Sequence, residues 1–102
     1  MASEDNTSGA LAGLRVLDIT GRMGGYCGLL LANLGAEVIL VESPDGDPMR
    51  REGPFRANQP DTEKSLSFTA YHSNKHGIVL DLESREDQQT LRTLVRGADV
   101  LL

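Results

Sequence analysis

The sequence has little of what marks secreted, nucleic-acid-binding or membrane-spanning proteins. It contains one cysteine, Cys27, so an internal disulfide is excluded and nothing indicates an oxidising compartment. Ten basic against 15 acidic residues give a formal charge of −5, whereas nucleic-acid binding usually needs a clustered basic face. No apolar run approaches the roughly 20 residues that span a bilayer. The acidic, polar N-terminus also lacks a secretion signal. We therefore expect a cytoplasmic protein that binds neither nucleic acid nor membrane.

The sequence also lacks the usual patterns of catalytic and metal sites. There is no P-loop, and no spacing suggests a Ser/His/Asp arrangement. His72 and His76 have a spacing that suits a metal on a helix. However, Asn74 and Gly77 predict a turn there, and no further cysteine or histidine completes a ligand set. We expect no metal site and no catalytic residue in these 102 residues.

The richest pattern is the stretch from residue 14 to residue 42. Residues 14–19 form a short apolar run, four glycines follow between positions 21 and 28, and residues 29–34 form an apolar segment that ends at Gly35. Residues 38–41 are a second apolar run, closed by Glu42. Solidly apolar runs of strand length on either side of a helix indicate a βαβ unit with buried parallel strands. The sequence therefore predicts an α/β fold with a Rossmann-like parallel sheet and flanking helices.

The glycines do not form a standard dinucleotide site. Gly25 and Gly28 supply the last half of a G-x-G-x-x-G pattern, and Glu42 stands where a ribose-binding carboxylate would. The first glycine of the pattern is replaced by Met23. Glycine-rich turns of this kind also serve helix–strand packing alone, and that interpretation stays open.

The rest of the chain predicts a long loop followed by a strand, a helix and a strand. Residues 1–10 are expected to be a disordered leader, and residues 11–102 a single unit. All four prolines lie within residues 43–64, which predicts a loop, and residues 65–71 are ambiguous between a strand and a helical turn. Residues 74–77 indicate a turn, and residues 78–82 a third strand with Ile78, Leu80 and Leu82 on one face.

The clearest helix pattern begins after Ser84, a plausible N-cap with Asp87 three residues later. Apolar residues then follow helical spacing at Leu91, Leu94, Val95 and Ala98, with Gly97 as the expected stop. Residues 99–102 begin a fourth strand. A sequence that stops as a strand starts favours the N-terminal part of a larger domain.

Six pieces of the sequence together resemble the N-terminal part of the family III CoA-transferases, which include formyl-CoA and carnitine CoA-transferases and the α-methylacyl-CoA racemases. The pieces stand in family order: GLRVLDIT at 13–20, GGYCGLLLANLGAEVILVE at 24–42, GDPMR at 46–50, SLSF at 65–68, NKHGIVLDL at 74–82 and GADVLL at 97–102.

The resemblance implies that this chain is the CoA-binding portion of an enzyme that passes CoA from an acyl-CoA to a carboxylic acid through an aspartyl intermediate. It places the catalytic aspartate beyond Leu102, so the chain alone is expected to be inactive, and it implies a homodimer for the complete protein. Two alternatives stay open: an acyl-CoA racemase or epimerase on the same scaffold, or a stand-alone CoA- or nucleotide-binding module without catalysis.

The resemblance also implies which residues lie near CoA, because ligands of open α/β sheets bind at the carboxyl ends of the strands. The candidates are Arg22, Met23 and Gly24 after the first strand, Ser43 after the second, and Leu80, Leu82 and Glu83 at the end of the third. Each is also open to an interpretation as turn or packing chemistry.

Five further residues each have two interpretations. Arg50, like Arg51, would suit a phosphate, or would pair with a nearby acidic residue. Lys75 is a phosphate candidate or a solvated turn lysine. Glu42 is favoured as an anchor for backbone amides over a ribose contact. Cys27 is favoured as a buried structural cysteine over an activated thiol.

Overall fold

The computed structural model describes residues 9–102 and confirms an α/β fold. The strands are β1 (Arg15–Asp18), β2 (Glu37–Glu42), β3 (His76–Val79) and β4 (Val100–Leu101), and the helices are α1 (Gly25–Asn33), α2 (Leu66–His72) and α3 (Arg85–Arg96). Two short 3₁₀ turns, Pro48–Arg51 and Arg56–Asn58, lie in the long connection between β2 and α2.

All four strands are parallel and lie in the order β3-β2-β1-β4. Val16 pairs with Val38 on one side and with Val100 on the other, while Ile39 pairs with His76. The first two strands are central and the last two form the edges. The carboxyl ends of β1, β2 and β3 therefore meet at one edge of the sheet, where ligands of such sheets bind.

The core lies between the central strands and α1. Val16 and Val38 are fully buried, and Ala32 of α1 and Ala36 pack against them. Leucines and valines around this cluster are partly buried: Leu11, Leu14, Leu31, Val100 and Leu102. Two small alanines at the contact allow the helix to approach the sheet closely.

The third strand lies earlier in the chain than its apolar run predicts. Its register pairs Val79 with Glu42, the last residue of β2, so the ladder ends there. The turn is confined to the residues just before Lys75, with Asn74 at a φ of 64°. Leu80 continues the pairing by donating its amide to the Glu42 carbonyl over 2.9 Å, but Leu82 lies beyond the strand and is 42% exposed. The predicted shared face of Ile78, Leu80 and Leu82 is therefore wrong.

The ambiguous segment is helical, because Ser65 caps it. Its hydroxyl oxygen accepts the Phe68 amide proton at the first turn of α2. Helix α1 likewise begins earlier than its apolar residues indicate, at Gly25. The loop before α2 carries one core side chain, Met49, which is 2% exposed.

Most of the predicted leader lies outside the described residues, which start at Gly9. Gly9 accepts a hydrogen bond from the amide of Ala12 in a turn, and Leu11 then donates to Leu34 at the end of α1. Within residues 9–102, none of the helices has the length and apolar character needed to cross a bilayer.

Candidate functional site

A groove of about 520 Å³ lies at the carboxyl ends of β1, β2 and β3. Its lining combines four apolar side chains with four carboxylates. The lining residues are Ile19, Val41, Glu42, Ser43, Pro44, Asp45, Leu80, Asp81, Leu82 and Glu83. No lysine or arginine is among them, so the groove itself offers apolar contact and hydrogen-bond acceptors rather than positive charge.

Four of the nine residues predicted to lie near CoA line this groove: Ser43, Leu80, Leu82 and Glu83. The three candidates after β1 do not line it. Met23 is 96% exposed, and Arg22 forms an ion pair with Glu52. Ile19, which directly follows β1, and Asp45, in the turn after β2, also line the groove although the sequence did not predict them.

Glu42 anchors the turn that forms one wall of the groove. It is 7% exposed, and its Oε2 atom accepts the amide proton of Asp47 over 2.8 Å. Its carbonyl oxygen accepts the amide proton of Leu80, so Glu42 joins the two walls of the groove. The interpretation of Glu42 as a backbone anchor is confirmed.

Arg50 binds Glu42 through one edge of its guanidinium. Nε lies 2.7 Å from Oε2 and Nη2 lies 2.8 Å from Oε1, a bidentate pair. The guanidinium carbon also lies 3.9 Å from the centre of the Phe68 ring. Hydrogen bonds from Arg50 are the main cause that lowers the pKa of Glu42, and the same pair raises the pKa of Arg50. The sequence predicts an acidic partner for Arg50, but one close to it in the loop rather than Glu42 at the end of β2.

Arg51 points along the same turn and donates to the carbonyl oxygen of Asp45 over 2.8 Å. Its guanidinium therefore stabilises the backbone of a groove residue. Arg50 and Arg51, adjacent in sequence, thus contact different parts of one turn.

Lys75 is buried in an ion pair and lies away from the groove. Its side chain is 1% exposed, and Nζ lies 2.9 Å from Oδ2 of Asp18, whose side chain is fully buried. Nζ also donates to the carbonyl of Gly25 over 3.1 Å and lies 2.8 Å from Nδ1 of His72. Both interpretations from the sequence, a phosphate contact and a solvated lysine, need an exposed ammonium group, which Lys75 does not have.

Asp18 stays charged in the core because Thr20 and Lys75 stabilise its carboxylate. Burial alone would raise its pKa, but hydrogen bonds from the Thr20 hydroxyl (2.6 Å) and amide (3.0 Å), together with Lys75, outweigh burial and lower it. For His72, in contrast, the surroundings disfavour the charged form. Burial, and then the charge of Lys75, lower its pKa and favour the neutral ring.

The glycine-rich turn packs over this buried pair. A β-carbon at Gly28 would lie 2.6 Å from Oδ2 of Asp18 and 2.9 Å from Nζ of Lys75, and one at Gly25 would lie 3.3 Å from the His72 ring. The distances at Gly28 are too short for real side-chain contacts, whereas at Gly25 the His72 ring would have to shift slightly to make room. These glycines are therefore explained by packing. At Gly28, only a glycine lets α1 lie against the buried charges of Asp18 and Lys75.

Cys27 is exposed, so the favoured interpretation of it as a buried cysteine is wrong. Helix α1 is apolar on nearly all sides, and the pattern gave no indication of which face would meet the sheet. Across residues 9–102, no three His, Cys, Asp or Glu side chains are grouped closely enough to hold a metal ion.

Comparison with known proteins gives one consistent family. Residues 11–102 match the family described as CoA-transferase family III. A subunit of succinyl-CoA:(R)-benzylsuccinate CoA-transferase from Thauera aromatica is 48% identical over 88 residues, covering 86% of this chain and 22% of that protein. Succinyl-CoA:mesaconate CoA-transferase from Haloarcula hispanica is 40% identical over 95 residues, covering 92% of this chain and 24% of that protein.

Solved structures agree with this family and fold. A CAIB/BAIF family protein from Brucella suis superposes with a TM-score of 0.80 at 34% identity, covering 91% of this chain and 25% of that one. A hypothetical protein from Mycobacterium tuberculosis gives 0.78 at 32% identity, with 92% and 25% covered. The chain thus spans about a quarter of the length of the relatives it matches. With the match over residues 11–102, these similarities establish that the chain belongs to CoA-transferase family III.

Proposed function

We propose that this chain forms the CoA-binding part of an enzyme that transfers CoA from an acyl-CoA to a carboxylic acid. The observation that carries the proposal is the position of the groove: it lies at the carboxyl ends of β1, β2 and β3 in a chain of this family. Open parallel sheets bind nucleotides at this edge.

The lining suits the uncharged part of CoA. Ile19 and Leu82 supply apolar surface for the adenine ring, and Ser43 follows β2 where a ribose would lie. Four carboxylates would repel phosphate groups, so the phosphates of CoA are proposed to lie outside the groove. Arg22, Met23 and Gly24 border the same edge of the sheet and remain candidates for contact there.

The proposed chemistry uses a nucleophilic aspartate outside these 102 residues. Its carboxylate attacks the thioester carbonyl and releases CoA as a thiolate, which leaves a mixed anhydride. The thiolate then attacks the aspartyl carbon, releases the donor acid and forms an aspartyl-CoA thioester. The acceptor carboxylate repeats the two steps in reverse, which regenerates the aspartate. Within this chain, the buried Asp18 and Asp47 are unsuited to that role because both are held by hydrogen bonds.

The family resemblance supports a homodimer as the working form, and the single cysteine, which allows no disulfide within these 102 residues, agrees with the cytoplasm as its location. Both are part of the proposal. Sedimentation of the purified protein and fractionation of the source cell test them directly.

The first experiment uses the protein at the length made in its source cell, established by intact mass. Calorimetry measures CoA binding, and an assay with succinyl-CoA as donor measures transfer to (R)-benzylsuccinate and mesaconate, the acids named for two relatives. We expect CoA binding and transfer to at least one carboxylic acid. Absence of CoA binding would refute the proposal, and α-proton exchange without transfer would assign the racemase alternative.

A pair of matched variants tests the location of the site. Leu82→Glu adds a negative charge inside the groove, and Leu30→Glu adds the same charge to the exposed face of α1, where Leu30 is 45% exposed. We expect the first to raise the Kd for CoA about 10-fold or more and the second to leave it unchanged, because lost apolar contact and like-charge repulsion both act only in the groove. Equal effects of the two variants would place CoA elsewhere.

A further inference from the structure

Both walls of the groove bond to one residue, Glu42. The side chain of Glu42 closes the turn that carries Ser43, Pro44 and Asp45 by accepting the Asp47 amide proton. Its main chain holds the opposite wall by accepting the Leu80 amide proton. The side chain of Glu42 therefore fixes the wall formed by Ser43, Pro44 and Asp45, while its main chain fixes the wall that contains Leu80.

Arg50 fixes that orientation. Both carboxylate oxygens of Glu42 are bound by one planar guanidinium, which stacks on Phe68 and donates through Nη1 to the carbonyl of Thr62 over 3.1 Å. The Arg50 side chain is 21% exposed. A phosphate could take the Nε and Nη2 edge of Arg50 only by displacing Glu42, which would leave a mostly buried carboxylate without its main partner.

We propose that Arg50 is a positioning residue for CoA binding, which acts through Glu42 on the shape of the groove and does not contact phosphate. This inference rests on the function proposed above. It gives the GDPMR segment a specific role, since Asp47 and Arg50 are the two residues of that segment that bind the Glu42 carboxylate. Lysine would keep the charge of Arg50 but lose the bidentate geometry and the stacking.

The test compares two ligands across the unaltered protein and three variants. Calorimetry measures the affinity of the protein, Arg50→Lys, Glu42→Gln and the double variant for CoA and for adenosine, which has no phosphate. We expect each single variant to weaken both ligands by the same factor, about 10-fold, the scale of one hydrogen bond to a charged group. The double variant should be no weaker than the single ones, because both changes remove one interaction.

The matched control is Arg56→Lys, at an exposed arginine of the same loop, for which we expect unchanged affinity. Hydrogen exchange without ligand provides an independent readout. In Arg50→Lys the amide of Asp47, which bonds to the Glu42 carboxylate, should exchange about 10-fold faster, whereas the amide of Leu80, which bonds to the Glu42 main chain, should not change.

The outcomes separate this inference from the proposed function. A loss of affinity for CoA but not adenosine would show a direct phosphate contact and overturn the inference. Unchanged exchange at Asp47 would overturn it as well, whatever the ligand data show. If the unaltered protein binds neither ligand, the proposed function fails, while the exchange data still decide whether Arg50 orients Glu42.

Discussion

Lys75 and Asp18 are 57 residues apart in the chain, yet they form a pair with side chains at most 1% exposed. Each apolar neighbour that buries them raises the cost of leaving either charge alone. The pair fixes the segment before β3 to the end of β1. It is therefore the residue-scale contact with the largest expected effect on stability.

Lys75→Met should lower the free energy of unfolding by about 3–5 kcal/mol, because it leaves the Asp18 carboxylate buried without its cation. Arg15→Met is the control. It breaks the pair of Arg15 with Glu37, whose side chains are 46% and 39% exposed, and should cost less than about 1 kcal/mol. Urea unfolding followed by circular dichroism measures both. Similar losses in the two variants would show that burial of the Asp18 pair adds nothing.

Stability should fall in two steps as the pH is lowered from 7. The pKa of His72 in the folded protein lies below its usual 6.5. Between these two pKa values the unfolded chain binds a proton at His72 and the folded chain does not. The free energy of unfolding therefore falls as the pH drops from about 6.5 to the pKa of His72 in the folded protein. The pKa values of Asp18 and Glu42 are lowered from 3.8 and 4.5, so their contributions are complete above those values and are lost below them. Unfolding free energies between pH 3 and 8 test this, with about 1.4 kcal/mol for each unit of pKa shift.

His72→Gln provides the control for the first step. Glutamine does not titrate, so the decline just below pH 6.5 should disappear while the acidic step remains. A variant with the same decline at mildly acidic pH would assign that step to another group.

The sequence could not reveal the partners of these residues. The spacing of Lys75 and Asp18 follows no local rule, because the strand order of the sheet brings them together. The partner of Arg50 was not predicted for a similar reason. Glu42 lies at the end of a predicted strand, and no pattern in the sequence predicts that the loop after β2 folds back to bring Arg50 onto Glu42. Local chemistry was predictable where the partner is a backbone amide close in sequence, as for Glu42 itself.

At the scale of elements, Gly28 decides whether α1 can lie on the sheet. Gly28→Ala improves helix propensity by up to about 1 kcal/mol. The new β-carbon would nevertheless meet the Asp18 carboxylate at 2.6 Å, so we expect a net loss of about 1–3 kcal/mol from overpacking. Thermal and urea unfolding measure the change.

Gly77→Ala is the matched control for this prediction. Gly77 lies in β3 with open space where a β-carbon would be added, so its replacement should be neutral or slightly stabilising. If Gly28→Ala were as stable as Gly77→Ala, α1 would have to move without cost, and the packing account of the glycines would be wrong.

The elements themselves were largely readable from the sequence. The apolar runs predicted β1, β2 and the parallel sheet, and the cap at Ser84 predicted the start of α3. The displaced boundaries of β3 show the limit of predicting strand ends from apolar runs. The apolar residues continue to Leu82, but β3 ends at Val79 because its partner strand β2 ends there. The end of β3 therefore depends on β2 and not on the sequence of β3 itself. The sequence left α2 ambiguous because its cap depends on distant contacts. The Ser65 hydroxyl that caps α2 also donates to the carbonyls of Met49 and Glu52, on the other side of a loop.

At the scale of the whole molecule, apolar side chains are exposed along both edges of the described sheet. Val79 on β3 is 61% exposed and Leu101 on β4 is 52% exposed. Helix α3 has an apolar stripe but no buried residue. A sheet with unpaired edges and an uncovered helix face tends to associate.

We therefore predict that the 102-residue chain, expressed alone, self-associates or has marginal stability. Size-exclusion chromatography with light scattering should show species heavier than the 11.0 kDa chain. Val79→Lys, which places a charge on an edge strand, should shift the distribution toward monomer. A monomeric sample that melts cooperatively would contradict the prediction.

The buried pair of Asp18 and Lys75 also has a consequence for the chain during its synthesis. Asp18 emerges from the ribosome 57 residues before Lys75, which at about 5–20 residues per second corresponds to a delay of roughly 3–11 s. Through that interval the end of β1 cannot close without an unpaired carboxylate inside. The nascent chain should therefore hold its first βαβ unit open until Lys75 arrives, and a ribosome stalled between the two residues should present that unit to proteases and chaperones.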